Sequence, residues 1–111
     1  MRRHTVIGER ILSAAPALVP ASKLVRSSHE RFDGNGYPDG LAGRAIPLGS
    51  RIIAVCDAYD AMVSDRPYRG SLGSAQALAE LRRCAGDQFD PEVVDVFSQV
   101  VLEAERRALI A

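Results

Sequence analysis

Residues 48–64 read LGSRIIAVCDAYDAMVS. Ile52, Ile53, Val55, Cys56, Tyr59, Ala61 and Met62 fall around most of the circumference of a 3.6-residue helix. A helix that is apolar nearly all round is predicted to lie at the centre of its domain. Charges on such a helix need partners. Asp57 and Asp60 stand three residues apart, near neighbours on a helical surface. A buried carboxylate without a partner is costly, so Asp57 is expected to meet either a metal ion or an arginine, with Arg51, Arg66 and Arg69 the candidates.

On either side of this segment four more helices are predicted, and the chain carries no strand pattern. The first spans about Arg2 to Ala15, with Val6, Ile7, Ile11 and Leu12 on one broad inward face. Pro16 and Pro20 punctuate the chain beyond it. The second spans about Ala21 to Arg31, with Leu24 and Val25 inward. After the central helix, Ser74 is the predicted N-cap of a fourth helix running to about Ala85, with Gly86 ending it. Asp90-Pro91-Glu92 supplies an N-cap, a proline at the first helical position and an acid in the first turn, so a fifth helix starts there and runs to about Arg107. The expected fold is therefore all-α, with a long glycine-rich loop from Phe32 to Pro47 between helices two and three. A connection of that length is usually functional or disordered.

The 111 residues make one domain at most. A composition 47% hydrophobic and 25% charged excludes a disordered chain. Fourteen basic residues balance fourteen acidic ones, so no net charge directs the chain to duplex nucleic acid or an anionic membrane. No segment reaches the ~20 apolar residues of a membrane span. Cys56 and Cys84 lack metal spacing and make no disulfide framework. Each reads as a small buried hydrophobe, which suits a reducing cytoplasm.

Chemistry concentrates in HERFDGNGYPDG at 29–40 and DAYDAMVSDRPYRG at 57–70. His29 with Glu30 and Asp33 can bind a metal or move protons, or can be a solvated helix end. His4, the other histidine, reads as a surface residue unless the fold brings it to His29. The loop is not a dinucleotide fingerprint, because its third glycine is misplaced and no strand precedes it. Gly34 and Gly36 allow positive φ and close backbone approach to a ligand, Pro38 stiffens the turn, and Tyr37 offers a ring for stacking on a base or for plugging the core. Arg66 and Arg69 can grip phosphate oxygens or pair with nearby aspartates.

HERFDGNGYPDGL, IPLGSRIIAVCDAYDAMVSDRPYR, FDPEVVDVF and the leading HTVIGERIL resemble, in order and spacing, the signature blocks of the HD-GYP family of metal-dependent phosphohydrolases. The blocks fall at 4–12, 28–41, 46–70 and 89–97. The resemblance implies an all-α fold and a bacterial, cytoplasmic signalling hydrolase that opens cyclic di-GMP on a centre of divalent metal, iron or manganese. It assigns metal ligation to His4, His29 and Asp57. It assigns nucleotide contact to Tyr37, Arg66 and Arg69; Gly36 and Pro38, on either side of Tyr37, are expected to bind the substrate with them, and no proton-transferring residue is assigned.

Two departures qualify these expectations. No His-Asp dipeptide occurs in the chain, and Ser28 stands where the family pairs a second histidine with His29. Three good ligands fall short of a two-metal centre, with Glu30, Asp33 and Asp60 as possible supplements. The expectation is the C-terminal portion of such a domain, spanning 1–111, with Met1 falling inside the longer pattern. The alternative is a catalytically inactive module that binds a cyclic dinucleotide, or a partner such as a diguanylate cyclase or another signalling domain.

Overall fold

The computed structural model describes residues 2–14, 16–64 and 72–110. Among the described residues five α-helices are formed: α1 (Arg2–Ser13), α2 (Val19–Arg26), α3 (Leu48–Val63), α4 (Ser74–Arg83) and α5 (Pro91–Ile110). Short 3-10 turns at Pro16–Leu18 and Gly43–Ala45 complete them. The all-α expectation holds: the described residues contain no strand, only an isolated bridge between Ala85 and Phe89. No described helix is long and apolar enough to cross a membrane.

The boundaries carry corrections. Helix α2 begins before Ala21 because Pro20 fits the first turn, where its missing N–H has no helical partner to lose. It ends at Arg26 rather than Arg31. Ser28 turns its hydroxyl back onto the Val25 carbonyl at 2.8 Å, and Ser27 and Ser28 close the end with amide bonds to Lys23 and Val25. Helix α4 is capped by Gly73, with Ser74 as its first helical residue and no side-chain cap bond. The start of α5 matches the expectation closely: Asp90 Oδ1 accepts the Glu92 amide at 2.9 Å.

The core lies between α3, α4 and α5. Val55, Leu78, Leu81, Phe89 and Val94 are buried there, with Ala54, Ala58, Tyr59, Met62 and Phe97 packed around them. The Tyr59 and Phe97 rings meet edge to face, 5.1 Å between centroids. Helix α3 is central, as its composition predicts, but only Val55 and Ser50 are fully buried on it. Ile52, Cys56, Asp57 and Asp60 are exposed, so Cys56 is not the buried hydrophobe expected from its neighbours. Cys84 is half-buried. Ile7 and Ile11 of α1 are likewise exposed, while Val6 and Leu12 are half-buried.

Helices α1 and α2 form a hairpin. It joins the core through α2 and α3, where the Ser50 hydroxyl donates to the Leu24 carbonyl at 2.9 Å. The loop between α2 and α3 is ordered by the same body. The Phe32 and Asp33 amides bond the carbonyls of Gln88 and Asp87, in the turn between α4 and α5, at 3.1 and 2.7 Å. These bonds satisfy backbone groups that an unstructured loop would leave to water.

Candidate metal and nucleotide site

His4 lies in the first turns of α1, and His29 lies three residues beyond the end of α2. The hairpin brings them together: Nε2 of one stands 2.9 Å from Nε2 of the other, with the rings edge to face. Sequence spacing of 25 residues gave no sign of this approach. On its other side His29 meets Tyr37, whose ring stacks nearly parallel to it at 5.3 Å and 15°. Three rings from α1, the α2 terminus and the loop thus form one continuous row.

The loop reaches this position through several bonds. The Tyr37 amide donates to the His29 carbonyl at 3.2 Å, and the Tyr37–Pro38 peptide is cis. Gly36 packs directly on the backbone of residues 29–31, leaving no room for a side chain there. Glu30, 5% exposed, accepts the Asp39 amide on Oε2 at 2.9 Å and the Leu41 amide on Oε1 at 3.0 Å. Asp33 takes the Arg31 guanidinium and the Asn35 amide. The Arg31 bonds, with the Asn35 amide, hold its carboxyl down at about 2. Both carboxylates are thus committed to the loop, which corrects their reading as supplementary metal ligands.

Glu30 was visible in the sequence only as the neighbour of a histidine. Its structural work implies a test. Glu30→Gln replaces one acceptor with an NH2 group, which leaves one buried amide unpaired at a cost of about 1–3 kcal/mol. Amide exchange at Asp39 or Leu41 is expected to quicken. Unchanged protection at both would remove the role given to Glu30.

Asp57 shares a cleft of about 240 Å³ with His29, lined also by Arg31, Ala58 and Gln88. Arg51, one of its candidate partners, pairs instead with Asp90 at 2.6 Å. Arg66 and Arg69 lie outside the described residues. Burial pushes the His29 imidazole below its ordinary value. His4 acts in the same direction, while Asp57 opposes them. A neutral imidazole is the form that can ligate a metal.

The donor set fits a cation in part. Two nitrogen ligands with bonds of ~2.1 Å, set at right angles, stand ~3 Å apart, which is the separation the two histidines adopt. Among the described residues no group of three or more His, Cys, Asp or Glu side chains closes around one point. The described residues therefore provide a two-imidazole edge with Asp57 in the adjoining cleft, and not a closed cage.

This helical fold, with a histidine pair beside a glycine-rich loop, corresponds to known proteins. The HD domain family matches residues 1–93, and the chain belongs to that family. Within it, the chain's resemblance is to the HD-GYP phosphodiesterases. A cyclic di-GMP phosphodiesterase of Thermotoga maritima is 43% identical over 105 residues, which cover 93% of this chain and 28% of that protein. The cyclic di-GMP phosphodiesterase response regulator RpfG of Xanthomonas campestris is 46% identical over 97 residues, covering 86% of this chain and 26% of that one. Among solved structures, a cyclic GMP-AMP specific phosphodiesterase of Vibrio cholerae matches with a TM-score of 0.65 at 30% identity, over 75% of this chain and 19% of that chain. The chain spans about a quarter of the length of the curated relatives it matches. HD domain phosphohydrolases are metal-dependent.

Proposed function

We propose that this chain is a metal-dependent phosphodiesterase-type domain that acts on a cyclic dinucleotide, cyclic di-GMP first. The observation that carries the reading is the His4–His29 pair, 2.9 Å between Nε2 atoms, with Tyr37 stacked on His29. His4 and His29 would hold a divalent cation, iron or manganese, with Asp57 as the oxygen donor beside them. Such a cation supplies Lewis-acid polarisation of a phosphoryl oxygen when bound. Tyr37 would offer its ring to a base, Pro38 and Gly36 would hold that ring in place, and Arg66 and Arg69 would take the phosphates. Further ligands would come from outside the described residues. The setting we propose is cytoplasmic.

A second reading rests on two specific observations. No three-ligand cluster closes among the described residues, and Ser28 spends its hydroxyl on Val25. Both favour a module that binds the nucleotide, or a diguanylate cyclase or similar signalling domain, without turning substrate over.

The two readings separate in one set of measurements on the purified chain. Bound metal is quantified, and hydrolysis of cyclic di-GMP is followed with manganese or iron. The phosphodiesterase reading expects turnover, together with loss of metal uptake in His29→Ala and Asp57→Ala. Micromolar nucleotide binding without turnover sinks it in favour of the module. Unchanged metal content in Asp57→Ala removes that residue from the site.

A further inference from the structure

We infer that Arg26 is a positioning residue that sets the row of three rings, by clamping α1 and the glycine-rich loop to the end of α2. The inference rests on the reading of His4, His29 and Tyr37 as one site. Arg26 is the last residue of α2, three positions before His29. Its Nη1 donates to Glu9 Oε1 at 2.9 Å. Glu9 lies on α1, five residues after His4. The Nε and Nη2 atoms of Arg26 donate to the two carboxylate oxygens of Asp39 at 2.9 and 3.0 Å. Asp39 lies two residues after Tyr37. One guanidinium therefore grips the element that carries the first ring and the loop that carries the third. It grips both from the helix that delivers the middle ring.

The geometry demands arginine. A planar fork with several fixed donors can hold two carboxylates in different directions at once, one of them bidentately. A lysine ammonium is a single point and keeps at most part of this arrangement. The three side chains are only partly buried, with relative exposures of 32% for Arg26, 25% for Glu9 and 38% for Asp39. Isolated pairs this exposed contribute little to global stability. What a shared clamp does fix is orientation. Glu30 holds the loop to the end of α2 through the amides of Asp39 and Leu41, two and four residues after Tyr37. Arg26 adds the link between that loop and α1, which no other described ion pair makes.

The two arms predict separable effects, which a general stabilising network would not. The chain has only two histidines, so their imidazole signals can be followed directly by NMR. Glu9→Gln is expected to shift the His4 ring signals and leave the cross-relaxation between His29 and Tyr37 in place. Asp39→Asn is expected to weaken that cross-relaxation and leave His4 nearly unmoved. Arg26→Lys should disturb both contacts, keep its helical circular dichroism, and raise KM for cyclic di-GMP about tenfold or more with a smaller change in kcat.

Equal shifts at both contacts in each single-arm variant, or no shift in any, overturn the clamp. So does an unchanged KM in Arg26→Lys. If Arg26→Lys fails to fold, the two single-arm variants decide alone. If the ring contacts separate as expected while the unaltered chain neither binds nor cleaves a cyclic dinucleotide, the clamp stands and the proposed function fails.

Discussion

Replacing Asp90 with alanine is expected to remove about 3–5 kcal/mol of stability, which is a large part of what a domain of this size has. Asp90 and Arg51 form the most buried ion pair among the described residues, with side-chain exposures of 6% and 13%. Arg51 Nη1 reaches Asp90 Oδ2 at 2.6 Å, and Arg51 Nε donates to the Ile46 carbonyl at 3.0 Å. Asp90 Oδ1 caps α5 through the Glu92 amide. One pair thus ties the end of the glycine-rich loop, the first turns of α3 and the start of α5. Alanine at 90 deletes the cap and strands a guanidinium whose remaining described partner is a carbonyl.

Asp90→Asn separates the two losses. Its side-chain oxygen can still cap α5, so it is expected to cost less than alanine. The pH dependence obeys the same logic. Burial pushes the Asp90 carboxyl up, but the Arg51 bond and the amides of Glu92 and Val93 outweigh it and leave the carboxyl below its ordinary value. A carboxyl depressed in the folded state contributes stability that is complete above its unfolded pKa and is lost as pH falls through the folded value. The unaltered chain should therefore weaken below about pH 4. Asp90→Asn should lose less between neutral pH and that range. Urea unfolding at both pH values checks this. An unfolding free energy for Asp90→Ala within about 1 kcal/mol of the unaltered chain would show that the pair is not structural in this sense.

On the nucleotide-binding function proposed above, Gly36→Ala is expected to abolish binding while leaving the helices formed. A methyl group at 36 would stand 2.6 Å from the His29 carbonyl oxygen and 2.7 Å from the Glu30 carbonyl carbon, and would also press on the Arg31 nitrogen. All three are backbone atoms, which cannot swing aside as a side-chain tip can. The loop must lift instead, at a cost of about 1–3 kcal/mol. Lifting breaks the Tyr37 amide bond to His29 and the ring stack beside it. A displacement of about 1 Å in a binding surface is worth about 10²-fold in function. The core of α3, α4 and α5 lies elsewhere, so helical circular dichroism should persist. Gly73→Ala is the control, because no described residue has an atom within 4 Å of its Cβ position. Calorimetric titration with cyclic di-GMP measures the loss. An affinity for Gly36→Ala matching that of Gly73→Ala would refute the close-approach account.

Local signals carried furthest where the physics is local. The start of α5 was legible because cap, proline and acid act within three consecutive residues. The end of α2 was not, since helical periodicity continues past Arg26 while two serines turn back on the preceding carbonyls. Ile7, Ile11 and Cys56 show the same limit for burial: periodicity marks a residue as apolar but does not say which neighbour covers it. Glu30 and Arg26 were illegible as organisers because their partners lie nine to seventeen residues away in sequence.

The helical class, the central place of residues 48–63, the special loop at 32–47 and the chemical types that could form a site were all legible in the order of residues. These depend on composition, periodicity and turn chemistry, which act over a few neighbouring residues. Packing was needed to bring His4 to His29, to stack Tyr37 on His29, to commit Glu30 and Asp33 to the loop, and to give Arg51 to Asp90 and not to Asp57. Those pairings depend on how the α1–α2 hairpin and the loop dock on a shared body. The distance between two side chains far apart in sequence is set by that docking, and by no property of either residue alone.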